Sequence, residues 1–281
     1  MMYCNTAKKI VTHVSKLIFM KINMIVGFIL ISHVSSGQNF DFKLYLKNFE
    51  KINDTLYVMK YEVTNEMYNI FLTNSELNNK AFFIDTLKWL QMQDSFDYKV
   101  MAEFYHSHLE YKDFPVVNIT REGAMAFCEW LTKIYIDLYP DQKQKVVFRL
   151  PTEKEWMWAA RGGKEENKYG WNTNEPYDAK RKKLYGCYRL NYKEAADVEL
   201  SKSRFGDGNF ATKPVDSYSP NRLGLYCMSG NVSEMVEEEG FVKGGDWFHD
   251  LNYCEVGARL PWDEKAAAYV GFRVAMVVKK K

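Results

Sequence analysis

Between Arg149 and Gly163 the chain reads RLPTEKEWMWAARGG, a stretch that carries its own start, face and stop signals. Thr152 and Glu155 have the S/T-x-x-E spacing in which a hydroxyl and a carboxylate reciprocally satisfy free N–H groups of a helix's first turn. Trp156, Ala159 and Ala160 then point toward a core, and Gly162-Gly163 stop the helix. Three more short segments follow: GLYCMSGNVSEM over Gly224–Met235, KGGDW over Lys243–Trp247, and GFR over Gly271–Arg273. Glycine and turn residues dominate much of 162–222, so helices are few and loops long.

Upstream, Leu56–Val63 reads as a strand, and Thr64 or Asn65 can cap a helix whose apolar face includes Met67, Tyr68 and Phe71. A second amphipathic helix is predicted from near Thr120, with Ala124, Phe127, Cys128 and Leu131 on one face. No internal repeat or low-complexity segment divides the chain, so residues 38–281 read as one domain, its resemblance to known folds spanning about 40–278.

At 47% hydrophobic and 16% aromatic residues, a packed core is well supplied. The formal charge of +2 misleads, because Lys8, Lys9, Lys16 and Lys21 lie in a stretch without acids. Without those four lysines the 38 basic residues fall two short of the 36 acidic ones, so no nucleic-acid-binding face is indicated. Residues 1–37 read as a targeting segment, with Met20 as a natural start. Lys21 supplies the positive end, Met24–Ile31 the apolar stretch, and Ser35-Ser36-Gly37 a small-residue cleavage site. The apolar run is too short for a stable membrane span, so the expectation is an exported chain in the periplasm, associated with the outer membrane, or secreted. Cys128, Cys187, Cys227 and Cys254 follow the segment; export permits disulfides, and four cysteines allow three pairings that spacing leaves open. A free buried thiol suits Cys128 equally well.

The four segments, in this order and spacing, resemble the formylglycine-generating enzyme, or sulfatase-modifying factor, family, and the resemblance implies a loop-rich α+β fold of a single domain, a variant of the C-type-lectin-like fold. The EVTN passage at Glu62–Asn65 is similar to the family's usual opening. In the family's oxygen-dependent enzymes two cysteines bind a single copper ion and oxidise a substrate cysteine. Counting from KGGDW, the second corresponds to Cys254, and the first position holds His249. The family's GGS is here Gly244-Gly245-Asp246, and its GNxWEW is Asn231-Val232-Ser233-Glu234-Met235. Asp246, His249 and Cys254 together form a candidate hard/soft metal cluster. The resemblance also implies calcium. Asn191 and Asp207, with the carbonyls of Tyr192 and Asn209, match one site; Glu234, with the carbonyls of Gly230 and Val232, matches part of a second. Cys227 stands at that second site's Asn/Asp position, where a soft thiol is a poor calcium ligand. One structural calcium, at Asn191/Asp207, is expected.

Within residues 73–118, FFIDTLKWLQ and FYHSHLEYKDFPVVNIT are similar to an insertion in gliding-motility and type IX secretion lipoproteins of Bacteroidetes, non-catalytic components with the same fold. The expectation is therefore a binding or scaffold protein with an envelope protein or peptide partner. The alternative is a formylglycine-type metal-dependent oxidoreductase using Cys254 and His249. His106-Ser107-His108 reads as a polar loop, and Glu237-Glu238-Glu239 as a solvated turn.

Overall fold

A computed structural model of the chain describes residues 40–74, 82–92, 97–142, 145–171, 173, 175–178, 187–193 and 211–279. The targeting segment, Asp207 and Asn209 lie outside them. The order of elements is α1 (Phe42–Tyr45), β1 (Phe49–Lys51), β2 (Leu56–Met59), α2 (Asn65–Asn74), α3 (Lys99–Phe104), α4 (Arg121–Leu138), β3 (Val146–Arg149) and α5 (Glu153–Ala160). Then follow β4 (Ser233–Met235), β5 (Phe241–Lys243), β6 (Leu260–Pro261), β7 (Val270–Gly271) and β8 (Ala275–Val278). This is the expected α+β architecture.

The strands form two small sheets. One runs β1-β2-β8-β3, all antiparallel, so the last strand lies between two strands from much earlier in the chain. The other runs β6-β5-β4-β7, with β4 and β7 parallel and Glu234 opposite Gly271. The strand expected over Leu56–Val63 ends at Met59, although the Met59 and Val63 amides still donate to Val274 and Phe272. Short strands held by distant chain segments leave little local periodicity to read.

The helices follow their local signals. The Thr120 hydroxyl accepts from the Gly123 amide at the start of α4, and Ala124, Phe127, Cys128 and Leu131 are buried on its inner face. In α5 both halves of the capping box are made, and Gly162 and Gly163 follow the helix at φ +64° and +77°. Phe127, Tyr68, Phe71 and Phe272 pack together in the main core, which draws residues from the helices and from both sheets. Trp156, Ala159 and Ala160 pack in a second cluster with Leu225, Met228 and Val236.

Of the stretch expected to be a polar loop, Ser107 and His108 are exposed, whereas His106 turns inward. His106 is buried, with Nδ1 2.9 Å from Asn65 Oδ1 and Nε2 3.3 Å from Asn118 Nδ2. Asn65 Nδ2 donates to the Tyr105 and Tyr111 carbonyls, which leaves Asn65 Oδ1 as an acceptor. The proton therefore sits on His106 Nδ1, and Nε2 accepts from Asn118. Burial pushes the His106 pKa down to about 3. This network fixes residues 105–118 to α2, and Trp89, Tyr98 and Tyr105 complete the attachment against Trp247.

The three glutamates form an exposed turn, as expected, and two of them, Glu237 and Glu238, also bind neighbouring elements. Arg121 donates to the carbonyls of Val236, Glu237 and Glu238, the Glu237 carboxylate pairs with Arg149, and the Glu238 carboxylate accepts from the Glu153 amide at the start of α5.

Candidate functional site

Strand β4 organises the site, because consecutive strand residues point to opposite sides. Ser233 and Glu234 are both buried and serve different partners. Glu234 meets Arg273 in a bidentate pair, with Nε and Nη2 each 2.6 Å from a carboxylate oxygen, and Trp156 Nε1 donates to the same carboxylate at 2.7 Å. Three of the four sequence segments thus converge on one buried acid. Ser233 Oγ donates to Asp246 Oδ2 at 2.6 Å.

Asp246 is placed by the two glycines before it. Gly245 has φ +66°, and a Cβ there would lie 2.6 Å from the Cys254 nitrogen and 2.7 Å from its sulfur. The Asp246 carboxylate, fully buried, also accepts from the Phe248 and His249 amides at 2.9 and 3.0 Å. His249 Nδ1 lies 2.9 and 3.0 Å from its two oxygens. A carboxylate only accepts, so Nδ1 carries the proton and Nε2 is the chemically available nitrogen. The ring lies edge-on to Phe248, Tyr253 and Tyr269, with its side chain 23% exposed. Burial opposes the imidazolium, but the hydrogen bond and charge of Asp246 outweigh it, so His249 titrates above the ordinary histidine value. An imidazole anchored through one nitrogen to a carboxylate is oriented for recognition, proton transfer or ligation at the other.

Cys254 belongs to a different environment. It is fully buried among Tyr169, Leu190 and Tyr192. Burial, then the nearby Asp246 charge, push its thiol well above the usual range. The structure therefore revises the reading of Asp246, His249 and Cys254 as one cluster. Asp246 orients His249 and is saturated by its own chain, and among the described residues no group of three or more His, Cys, Asp and Glu side chains could hold a metal ion. A sealed thiol and one oriented imidazole do not fit the copper centre that two accessible thiolates provide. Cys128, Cys227 and Cys254 are free thiols, so none of the three complete pairings forms.

The two calcium sets separate as well. Asn191 is buried; its Nδ2 donates to the Ala211 carbonyl at 2.8 Å, while Oδ1 has no partner. An inward-facing amide oxygen without a donor fits a hard cation, and the neighbouring Tyr192 carbonyl belongs to the same expected set. The second set does not fit. Both oxygens of Glu234 are engaged by Arg273 and Trp156, so a guanidinium supplies the positive charge there, and Gly230 and Val232 are left without their expected carboxylate partner.

Sequence reasoning identified Ser233 and Asp246 as substitutions without seeing that they bond each other. The signal was a hydroxyl and a carboxylate appearing together at two altered positions. It also missed Arg273 as the partner of Glu234, since 39 residues separate them.

Comparison with known proteins agrees with this architecture. Residues 46–278 match the family described as the sulfatase-modifying factor enzyme 1-like domain. The formylglycine-generating enzyme of Streptomyces coelicolor is 31% identical over 141 residues, covering 50% of this chain and 35% of that protein. The inactive C-alpha-formylglycine-generating enzyme 2 of Bos taurus is also 31% identical, over 171 residues, covering 60% of this chain and 48% of its own. The chain thus spans about a third to a half of the length of these two relatives. The structure of PvdO from Pseudomonas aeruginosa superposes with a TM-score of 0.52 at 19% identity, covering 79% of this chain and 80% of that one, a likeness of fold. With most of its length matched, the chain belongs to the sulfatase-modifying factor family.

Proposed function

We propose that this chain is an exported, non-catalytic binding or scaffold domain of the bacterial envelope, acting on a protein or peptide partner. The observation that carries this reading is the arrangement at the family's chemical positions. His249 replaces one cysteine and is tied to a buried Asp246, while Cys254 is sealed in an aromatic cluster. An enzyme that uses a thiolate needs that group deprotonated and reachable, and neither condition is met here. Sequence similarity of residues 73–118 to gliding-motility and type IX secretion components supports an envelope role. The family contains both active and inactive members, so membership alone does not assign catalysis.

The test is to incubate copper-loaded protein with a CxPxR peptide and follow conversion of thiol to aldehyde by mass spectrometry. No conversion is expected. Conversion that disappears in Cys254→Ser would overturn the binding reading in favour of a metal-dependent oxidoreductase. Crosslinking in the native envelope tests the partner: recovery of motility or secretion components supports it, and absence of any crosslinked partner counts against it.

We infer further that Asn191, with the Tyr192 carbonyl, Asp207 and the Asn209 carbonyl, holds one structural calcium. Calcium should raise the melting temperature of wild type and not of Asp207→Ala; equal rises in both would remove the site.

A further inference from the structure

Glu62 lies between β2 and α2, with no solvent exposure. Its Oε1 accepts from Asn231 Nδ2 at 2.9 Å, and its Oε2 has no hydrogen-bond partner. The nearby cation cannot supply one. Arg273 has five N–H donors, and all are engaged: Nε and one Nη2 hydrogen with Glu234, the other with the Tyr226 carbonyl, and Nη1 with the carbonyls of Met59 and Lys60. Glu234 also receives Trp156 Nε1. Two buried carboxylates therefore compete for one guanidinium, and the geometry gives it entirely to Glu234.

A buried carboxylate helped only by one neutral side-chain donor and its own backbone amide is costly to ionise, more so beside a second negative charge. We propose that Glu62 is carried in the folded protein as a neutral, protonated acid, and that its ionisation loosens the clamp by which Arg273 fixes strand β4. The groups facing it are Arg273, Glu234, Asn231, Cys227 and Tyr105. Burial holds the Cys227 thiol and the Tyr105 phenol protonated, leaving Arg273 and Glu234 as the charges that matter. Burial is the largest influence on Glu62, followed by the opposing pulls of Arg273 and Glu234, and its pKa is raised to about 8.

The consequence reaches the site. Asn231, which holds Glu62, precedes by two residues the Ser233 that donates to Asp246. A charge on Glu62 would draw Arg273 from Glu234 and disturb the strand that sets Asp246 and His249. The fold is thus built to hold one internal proton at neutral pH. This inference does not depend on whether the chain binds a partner or catalyses a reaction.

The sign of the linkage is defined. A folded-state pKa raised above the ordinary glutamate value gives stability fully present below that ordinary value and lost as pH climbs toward about 8. Wild-type protein labelled with 13C at its glutamate carboxyls should keep one resonance at the protonated position at about pH 6, absent in Glu62→Gln. The ratio of folding constants, wild type over Glu62→Gln, should fall by up to roughly tenfold per pH unit between about pH 5 and 8. If every glutamate resonance has reached its ionised position at about pH 6, the inference is wrong. A pH-independent ratio would also overturn it. Should Glu62→Gln fail to fold, the wild-type titration still decides, because among the described glutamates with a displaced pKa Glu62 alone is raised, Glu153 and Glu155 being lowered.

Discussion

Two acid–base pairs hang from the same region of the second sheet, and they are built for opposite ends. Glu234–Arg273 is completely enclosed, with every guanidinium donor engaged and a tryptophan added on the carboxylate side. Asp246–His249 has an equally buried acid, but its base stands at a half-open rim with Nε2 uncommitted among the described residues. The first pair ties distant chain segments together and has no capacity left for a ligand. The second holds a reactive group still and leaves it available. The rim is therefore the part of this region that a ligand could reach, and the enclosed pair explains why the rim keeps its shape.

The strongest way to break this contrast is Arg273→Ala. It leaves Glu234 buried without its counter-ion, and urea unfolding should show a loss of about 3–5 kcal/mol. A loss under about 1 kcal/mol would mean that the enclosed pair is not the keystone assigned here.

A second experiment asks whether the attachment of residues 105–118 is as closed as the clamp. The pKa of His106 is depressed to about 3, so the fold keeps it neutral while the unfolded chain takes up a proton near the ordinary histidine value. Stability from this group is present above about pH 6.5 and is lost as pH falls toward 3. Wild type should lose about 2 kcal/mol between about pH 7 and 5 that His106→Gln does not lose. Parallel pH profiles for the two proteins would place His106 in contact with solvent. Glu62 acts in the opposite direction, so the His106 effect must be read as a difference between variants.

Trp156 reaches Glu234 from α5, whose N-terminus is fixed by the capping box. Thr152→Ala should cost about 1 kcal/mol in the same unfolding assay, a local loss well short of that for Arg273→Ala. A cost matching Arg273→Ala would merge helix and clamp into one cooperative unit.

The smallest effect is expected at the rim. His249→Ala removes one of the donors to Asp246 but leaves Ser233 and two backbone amides in place. Stability should change by less than about 1 kcal/mol, while reactivity of this face toward an imidazole-acylating reagent disappears. A large stability loss would show that His249 is scaffold and erase the distinction between the two pairs.

Much of the scaffold was legible because its causes are local. Thr120, Thr152 and Glu155 sit at spacings that a helix start requires, and the apolar faces of α4 and α5 repeat with the helix turn. His106 was misread because its burial depends on Asn65 and Asn118, residues 41 and 12 positions away. The pairing at the second calcium set was hidden for the same reason: no spacing along the chain reveals that Arg273 neutralises Glu234. Cys254 could be aligned by counting from KGGDW, but its enclosure by Tyr169, Leu190 and Tyr192 could not.

By itself, the sequence determined the α+β class, the helix boundaries set by caps and glycines, and the resemblance that the family match bears out. Those properties follow from neighbours within a few residues, where backbone geometry and hydrogen-bond reach are short-range. Only the tertiary structure decided which acid received the guanidinium, which received the imidazole, and which was left to keep its proton. Those outcomes are competitions among buried charges for a limited number of donors, and the competitors meet only when distant segments of the chain fold together.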